Sequence, residues 1–277
     1  RPTDRFAVVF DRTNFYAEMG GQVADTGRAQ VTRERNSSVG AKGDPGEFIV
    51  EEVRAAGGYI AHIGRLKKGE LRVGDECELR LDNPRRKAIA SNHTATHLLN
   101  LALRAALGDH VDQKGSLVAP DRLRFDFSHS GAMTPAELEE VERQVQTAIA
   151  ADLPVHAEVV PLAQGRAVSA LRAVFGETYP DPVRMVTIGV SPAELLGDPG
   201  NARWKQFSIE FCGGTHLART GEAQNFVLTS EEGVAKGIRR ISAVTGAEAA
   251  EALKRADELS SRIAGAAELD AKYLPAE

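Results

Sequence analysis

The sequence has few cysteines, no long apolar run and no surplus of positive charge, and each shortage excludes a class of protein. Two cysteines in 277 residues cannot form a disulfide framework, so we expect a reducing compartment, the cytoplasm. No apolar run approaches the ~18 residues that a membrane span needs, and the first residues lack the apolar core of a signal peptide. A formal net charge of −5 excludes nucleic-acid binding through overall positive charge, which leaves only local basic patches for that role.

What is present is the composition of a soluble globular protein, with 42% hydrophobic and 26% charged residues. A chain of 277 residues is long enough for two compact units. Residues 1–85 alternate short β-like runs with Gly-rich turns, which predicts a small β-barrel or sandwich. Residues 86–245 mix helical and strand patterns and predict an α/β unit, and residues 246–277 carry alanine, glutamate and leucine at helical spacing. The predicted fold class is therefore α+β.

Local signals place the elements of the second unit. Asn83-Pro84 marks a boundary, and Gly108 ends the helix that follows it. The two strands next in sequence, at 113–118 and 122–127, are expected to pair antiparallel. Thr134 is the expected N-cap of a helix that runs to about residue 152. Further predictions are a helix over 164–174 and strands at 155–160, 182–190, 207–210, 225–230 and 236–244.

Two histidines lie four residues apart in an apolar, helix-periodic stretch, Asn92–Leu103. On a helix, His93 and His97 share one face, one turn apart, where two imidazoles can hold one divalent metal. Far downstream, Cys212-Gly-Gly-Thr-His216 offers a thiolate and a third imidazole on a Gly-rich turn. His, His, Cys and His form a zinc-type ligand set, so we expect Zn²⁺ there.

The sequence leaves the role of this metal open. Four protein ligands are typical of a structural zinc site, whereas catalysis needs an open coordination position. Thr94 stands where metalloproteases carry their general base, which argues against a peptidase. If the site hydrolyses a substrate, Gln113 and Thr94 are the polar groups nearest to it in sequence.

The joint pattern of His93-Thr-Ala-Thr-His97 and Cys212-Gly-Gly-Thr-His216 resembles the editing region of alanyl-tRNA synthetases and the related free-standing alanyl-tRNA editing proteins. Asn14 and Met19 depart from the family, which more often has proline and serine there. The resemblance covers most of residues 6–246. It continues through Asp11–Gly27, Gln113–Ser116, Arg124–Phe127 and Gly237–Ile241.

This resemblance implies a translation-factor-like β-barrel followed by an editing domain with a mainly antiparallel sheet. It implies zinc-dependent hydrolysis of Ser-tRNA(Ala), with Gly-tRNA(Ala) as a second substrate. The implied partners are the acceptor end of tRNA(Ala), an aminoacylation domain before this region and a C-terminal domain after it. Gln113 would position the aminoacyl group. The implied zinc ligands are His93, His97, Cys212 and His216, and the residues implied to close over the pocket are Gly20, Gly21 and Gln22.

Several of these residues have simpler interpretations. Gly20 and Gly21 are also expected in a barrel turn, and Gln113 is also expected as a loop cap. Five basic residues are candidates for tRNA phosphate contacts, but surface charge of this kind is often only solvated. They are Arg85, Arg86, Lys87, Arg239 and Arg240.

Physical chemistry explains why such an activity is needed. An alanine pocket discriminates only about 10²-fold against an amino acid that adds one hydroxyl, so a second, hydrolytic site must remove the error. Two alternatives stay open: a tRNA-binding module with structural zinc and no hydrolysis, and the editing domain of threonyl-tRNA synthetase. The barrel motif before the histidine helix argues against the latter. All the zinc hypotheses require the four ligands to meet at one point.

Overall fold

The computed structural model describes residues 4–33, 45–173 and 178–273, with the side chains of 33 and 265–273 excepted. Within those residues it is an α+β structure whose sheets are antiparallel, as predicted. None of the described helices is long and apolar enough to cross a membrane.

The first unit is a five-stranded antiparallel sheet in the order β1-β4-β3-β2-β5. Its core contains Phe15, from the segment between β1 and β2, together with Phe48 and Val53 of β3, all of them buried. Among the described residues no pairing joins β1 to β5, so the predicted closure into a barrel is not confirmed. The strands are β1 Phe6–Val9, β2 Gly27–Arg33, β3 Glu47–Ala56, β4 Tyr59–Lys68 and β5 Glu76–Leu81.

The histidine helix, α1, runs over Asn83–Leu107 and is the central element of the second unit. The Asp82 carboxylate caps it by accepting from the Arg85 N–H, and Gly108 ends it at a φ of +113°. Nearly every residue from Ile89 to Leu103 is buried, including the polar ones. A helix buried on all sides must satisfy those polar groups internally, and this requirement organises the site.

Two antiparallel sheets surround α1. Helix α2, Pro135–Ala150, also packs on α1 and starts at the predicted Thr134 capping box. The four-stranded sheet, in the order β11-β12-β7-β6, contains β6 Gln113–Val118, β7 Leu123–Ser128, β11 Phe226–Ala235 and β12 Ile238–Thr245. The three-stranded sheet, in the order β10-β9-β8, contains β8 Val155–Val160, β9 Val183–Ile188 and β10 Ser208–Phe211.

The predicted helix over 164–174 is wrong for residues 167–173, and residue 174 lies outside the described residues. Helix α3 covers only Leu162–Arg166, because the chain then turns toward β10. The Arg172 N–H donates to the Ile209 carbonyl at 2.9 Å, which is incompatible with a continuing helix. Gly165 lets this segment approach Phe211, whose ring a Cβ would meet at 2.8 Å. The remaining helices are α4, Pro192–Gly197, and the predicted terminal helix α5, Gly246–Tyr273.

Candidate metal centre

The four predicted ligands converge. His93 and His97 project from α1, Cys212 follows β10 directly, and His216 lies in the next turn; their donor atoms all lie within 4.8 Å of one another. The Cys212 Sγ is 3.4 Å from Nε2 of His93 and 3.4 Å from Nε2 of His216. Tetrahedral zinc with ordinary bond lengths has N-to-S edges of about 3.5 Å, so this donor set fits such an ion.

Burial keeps the three imidazoles neutral. It lowers the pKa of both His93 and His97 to about 3, and neighbouring positive charge adds to the effect. Burial also lowers the pKa of His216 well below its ordinary value. The Nδ1 atom of His97 is buried and has no hydrogen-bond partner among the described residues. Neutral imidazoles are the metal-binding form, so the site is prepared for a cation.

Gln22, from the first unit, lies behind His93 rather than over the pocket. Its side chain is fully buried, and its Oε1 is 2.7 Å from Nδ1 of His93 and accepts from the Thr215 N–H at 2.9 Å. The resemblance implied that Gln22 closes over the substrate pocket. The structure instead directs its amide to a predicted ligand and to the turn between Cys212 and His216.

Thr94 is likewise turned away from the space where a substrate would lie. It is fully buried, and its Oγ1 accepts from the Leu217 N–H at 3.1 Å and lies 3.3 Å from Nδ1 of His216. One residue along a helix is a rotation of about 100°, which takes Thr94 off the face of His93. Its contacts are with His216 and the backbone of Leu217, and it is not among the residues that line the cleft beside the centre. A direct action on substrate stays a prediction.

The turn that carries Cys212 and His216 is closely held. Arg184 on β9 donates from Nη1 to the carbonyls of Cys212, at 2.8 Å, and Gly214, at 2.7 Å. Gly214 packs directly on His93, since a Cβ there would lie 2.0 Å from the ring Cε1. Only glycine fits at that position without displacing His93.

A cleft of about 1190 Å³ opens beside the centre, with His93 and Cys212 in its wall. Gln113 lies on the same wall, at the start of β6. Gly20 and Gly21 reach the cleft from the first unit with φ values of +58° and +83°, so they form a turn and line the cavity at once. The first unit is joined to β6 here by Val118 N–H, which donates to the Gly21 carbonyl at 2.8 Å.

Sequence reasoning missed a polar cluster under the cleft, centred on Glu210. Its Oε1 accepts from Asn100 Nδ2 at 3.0 Å and pairs with Arg172 Nε at 3.4 Å, and its Oε2 is 3.6 Å from His97 Nε2. Burial raises the pKa of Glu210, and the Arg172 charge opposes this. The sequence does contain one signal for this cluster. Asn100 lies three residues after His97, on the same face of the helix, and it is a polar residue in an otherwise apolar run.

Three of the five basic candidates are engaged in ion pairs. Arg86 forms a two-bond pair with the buried Asp25 and also donates to the Asn14 carbonyl. Arg240 donates to both oxygens of Asp126 at 2.7 and 2.8 Å, and Arg239 pairs similarly with Glu231.

The other two basic candidates, Arg85 and Lys87, make weaker contacts. Arg85 has a buried Nη1 without a hydrogen-bond partner among the described residues. Lys87 is largely exposed, with its Nζ 3.8 Å from Glu222.

Comparison with known proteins agrees with this geometry. A family model described as the threonyl and alanyl tRNA synthetase second additional domain matches residues 183–242, and one described as tRNA synthetases class II (A) matches residues 2–85. The chain is 48% identical to the alanine–tRNA ligase of Candida albicans, over 97% of this chain and 26% of that protein. It is 47% identical to the mitochondrial alanine–tRNA ligase of Saccharomyces cerevisiae, over 98% of this chain and 26% of that protein.

A cytoplasmic alanine–tRNA ligase from Dictyostelium discoideum is 45% identical, over 98% of this chain and 28% of that protein. The chain thus spans about a quarter of the length of the curated relatives it matches. Similarity along nearly its whole length shows that the chain belongs to the alanine–tRNA ligase family, as a region that includes the second additional domain.

Proposed function

We propose that this region is the proofreading part of an alanine–tRNA ligase and hydrolyses the ester of Ser-tRNA(Ala), with Gly-tRNA(Ala) as a second substrate. The observation that carries the proposal is the convergence of His93, His97, Cys212 and His216 within 4.8 Å at the wall of an open cleft. Zinc bound there would polarise the ester and lower the pKa of a water molecule.

The chain's own residues would select and hold the aminoacyl group. The Gln113 amide, in the cleft wall, can both donate to and accept from a substrate hydroxyl or amine. Gly20 and Gly21 present backbone to the same space without a side chain. An alanyl ester lacks the hydroxyl that serine brings, so it would leave buried polar groups unpaired at about 1–3 kcal/mol each and would be spared.

A second candidate function is a tRNA-binding module with structural zinc and no hydrolytic activity. The number of ligands, taken by itself, favours this function, because four protein ligands are typical of structural zinc. The position of the predicted metal site beside the cleft argues for the hydrolytic role. A structural site is enclosed by its ligands and their surroundings, whereas His93 and Cys212 both line a cleft open to solvent.

The wider assignments are also part of this proposal. We place the sheet unit at residues 1–85, the editing unit at 86–245 and the helical segment at 246–277. The tRNA(Ala) acceptor end is the proposed partner, with Arg85 and Lys87 as the better phosphate contacts because Arg86, Arg239 and Arg240 are paired. The other proposed partners are the remaining domains of the synthetase. We propose a cytoplasmic location, although relatives include a mitochondrial enzyme.

The test measures deacylation and metal content together. The chain is loaded with zinc, its zinc content is measured, and it is incubated separately with Ser-tRNA(Ala), Gly-tRNA(Ala) and Ala-tRNA(Ala). We expect one zinc per chain, hydrolysis of the first two esters and sparing of the third. Bound zinc without any hydrolysis would favour the structural alternative, and absence of zinc binding would refute both.

A further inference from the structure

Gln22 connects the first unit to the candidate metal centre, although 71 residues separate it from His93. Its fully buried amide lies between the His93 ring and the backbone of the ligand-bearing turn. Besides its contacts with His93 and the Thr215 N–H, Oε1 lies 3.3 Å from the Thr215 Oγ1, and Nε2 donates to the same hydroxyl at 3.0 Å. Both polar atoms of this side chain therefore contact His93 or Thr215, at the candidate metal centre.

These contacts fix the tautomer of one predicted ligand, that is, which ring nitrogen of His93 carries the hydrogen. The Thr215 N–H can only donate, so the Gln22 atom that it contacts must be the amide oxygen. That oxygen can only accept, and it lies 2.7 Å from Nδ1 of His93, which must therefore carry the proton. The lone pair of the neutral ring is then on Nε2, the nitrogen that lies 3.4 Å from Cys212 Sγ.

The segment that carries Gln22 is fastened to the second unit at several points. The Val23 N–H donates to the Val118 carbonyl of β6 at 3.0 Å. Two residues further, the buried Asp25 forms the pair with Arg86 of α1. The amide therefore reaches His93 only when the first unit is docked on the second.

We propose that Gln22 is a positioning residue for the metal centre, which makes zinc affinity depend on docking of the 19–25 segment onto β6 and α1. This inference rests on the proposed metal site. The amide holds the His93 ring in the orientation and tautomer that offers Nε2, as partners of metal-bound histidines do in general. The first unit thus contributes to the centre although it supplies none of the four ligands.

The test measures zinc affinity of the whole chain by competition with a chromophoric chelator, so its readout is independent of hydrolysis. Gln22→Leu removes all hydrogen-bonding contacts of the amide at similar volume and is expected to weaken zinc binding about 10–100-fold. Gln22→Glu keeps two acceptor contacts and is expected to stay closer to the wild type than Gln22→Leu. A pure packing role predicts the reverse order, because glutamate buries a charge and leucine does not.

Two further variants complete the design. Gln164→Leu makes the same exchange at an exposed site and is expected to leave affinity unchanged. Asp25→Asn weakens the ion pair with Arg86 that docks the segment, and it leaves the Gln22 side chain unchanged. This variant is expected to weaken zinc binding. It takes the place of Gln22→Leu in the test if that variant does not fold. If the wild type binds zinc and either Gln22→Leu or Asp25→Asn binds it with the same affinity, the inference is overturned, but the proposed function stands. No zinc binding by the wild type overturns both.

Discussion

A Cβ atom on Gly214 would lie 2.0 Å from Cε1 of His93 and 2.8 Å from the amide oxygen of Gln22. Both neighbours belong to buried side chains, so neither can yield without disturbing the centre. We predict that Gly214→Ala binds zinc at least about tenfold more weakly than the wild type, because the His93 ring must leave its position.

The adjacent glycine supplies a matched control. A Cβ on Gly213 would meet no heavy atom within 4 Å, so Gly213→Ala should bind zinc as the wild type does. Both variants are compared by chelator competition after circular dichroism has established that they are folded. Equal affinity in the two variants would contradict the packing of Gly214 on His93.

The second prediction concerns the ligands themselves. Cys212→Ala and His97→Ala should each lose stoichiometric zinc and reduce hydrolysis of Ser-tRNA(Ala) to background while the chain stays folded. Each removes a donor from a centre whose four donors lie within 4.8 Å. Zinc is measured by elemental analysis, and hydrolysis by release of labelled serine.

Cys77→Ala is the control for loss of a thiol, since Cys77 lies on β5 and outside the ligand cluster. It should retain both zinc and hydrolysis. Full hydrolysis in Cys212→Ala and in His97→Ala would refute the assignment of these ligands.

The third prediction separates substrate binding from metal binding. Gln113→Leu keeps the volume of the side chain but removes its hydrogen-bonding groups from the cleft wall. We expect hydrolysis of Ser-tRNA(Ala) to fall by about 10–100-fold, the equivalent of about 1.4–2.7 kcal/mol, with zinc content unchanged. Single-turnover deacylation and elemental analysis measure the two properties. Loss of zinc in this variant would place Gln113 in support of the metal instead.

The fourth prediction concerns pH and the Asp126–Arg240 pair. The hydrogen bonds from Arg240 hold the pKa of Asp126 below its ordinary value of 3.8, so the folded chain takes up this proton at lower pH than the unfolded chain. The stabilisation of the folded chain by this ion pair is therefore complete above about pH 4. It is lost as pH falls through the pKa of Asp126 in the folded state. Asp126→Asn should lower the free energy of unfolding by about 1.5–3 kcal/mol at pH 7, with a smaller difference near pH 3.

Urea denaturation of the zinc-free chain across that pH range measures this effect. Asp121→Asn is the control, because Asp121 is exposed and its ion pair within the described part of the chain is with the adjacent Arg122. That exchange should change stability by less than about 0.5 kcal/mol at any pH. A deficit of Asp126→Asn that does not depend on pH would contradict the ion-pair explanation.

The sequence was sufficient for the parts of the site that depend on local pattern. Spacing and capping residues located α1 and α2, and the two short motifs identified four side chains whose donor atoms converge in the structure. The alternation of the β-like runs located strands, but closure of a sheet depends on pairing between its first and last strands. That pairing leaves no local signal, and the barrel is not confirmed.

The missed residues are those whose roles depend on partners distant in sequence. Glu210 lies on β10, where all four residues are buried, so strand alternation could not assign its face. Arg172 falls inside the predicted helix over 164–174, whereas its pairing with Ile209 and Glu210 is tertiary and leaves no local signal. The resemblance placed Gln22 over the pocket, and nearness in sequence singled out Thr94. The contacts of these side chains with Nδ1 of His93 and of His216 depend on the tertiary fold and leave no local signal.

The anchoring of the 212–214 turn by Arg184 has a consequence for how the chain would exchange its metal. Because those backbone carbonyls are already bound to β9, ordering of the turn is completed during folding and not during ion uptake. A zinc finger collapses when stripped by a chelator, since its core forms only around the ion. Here the buried apolar clusters include none of the four predicted ligands, so the ion should come and go reversibly while the scaffold persists.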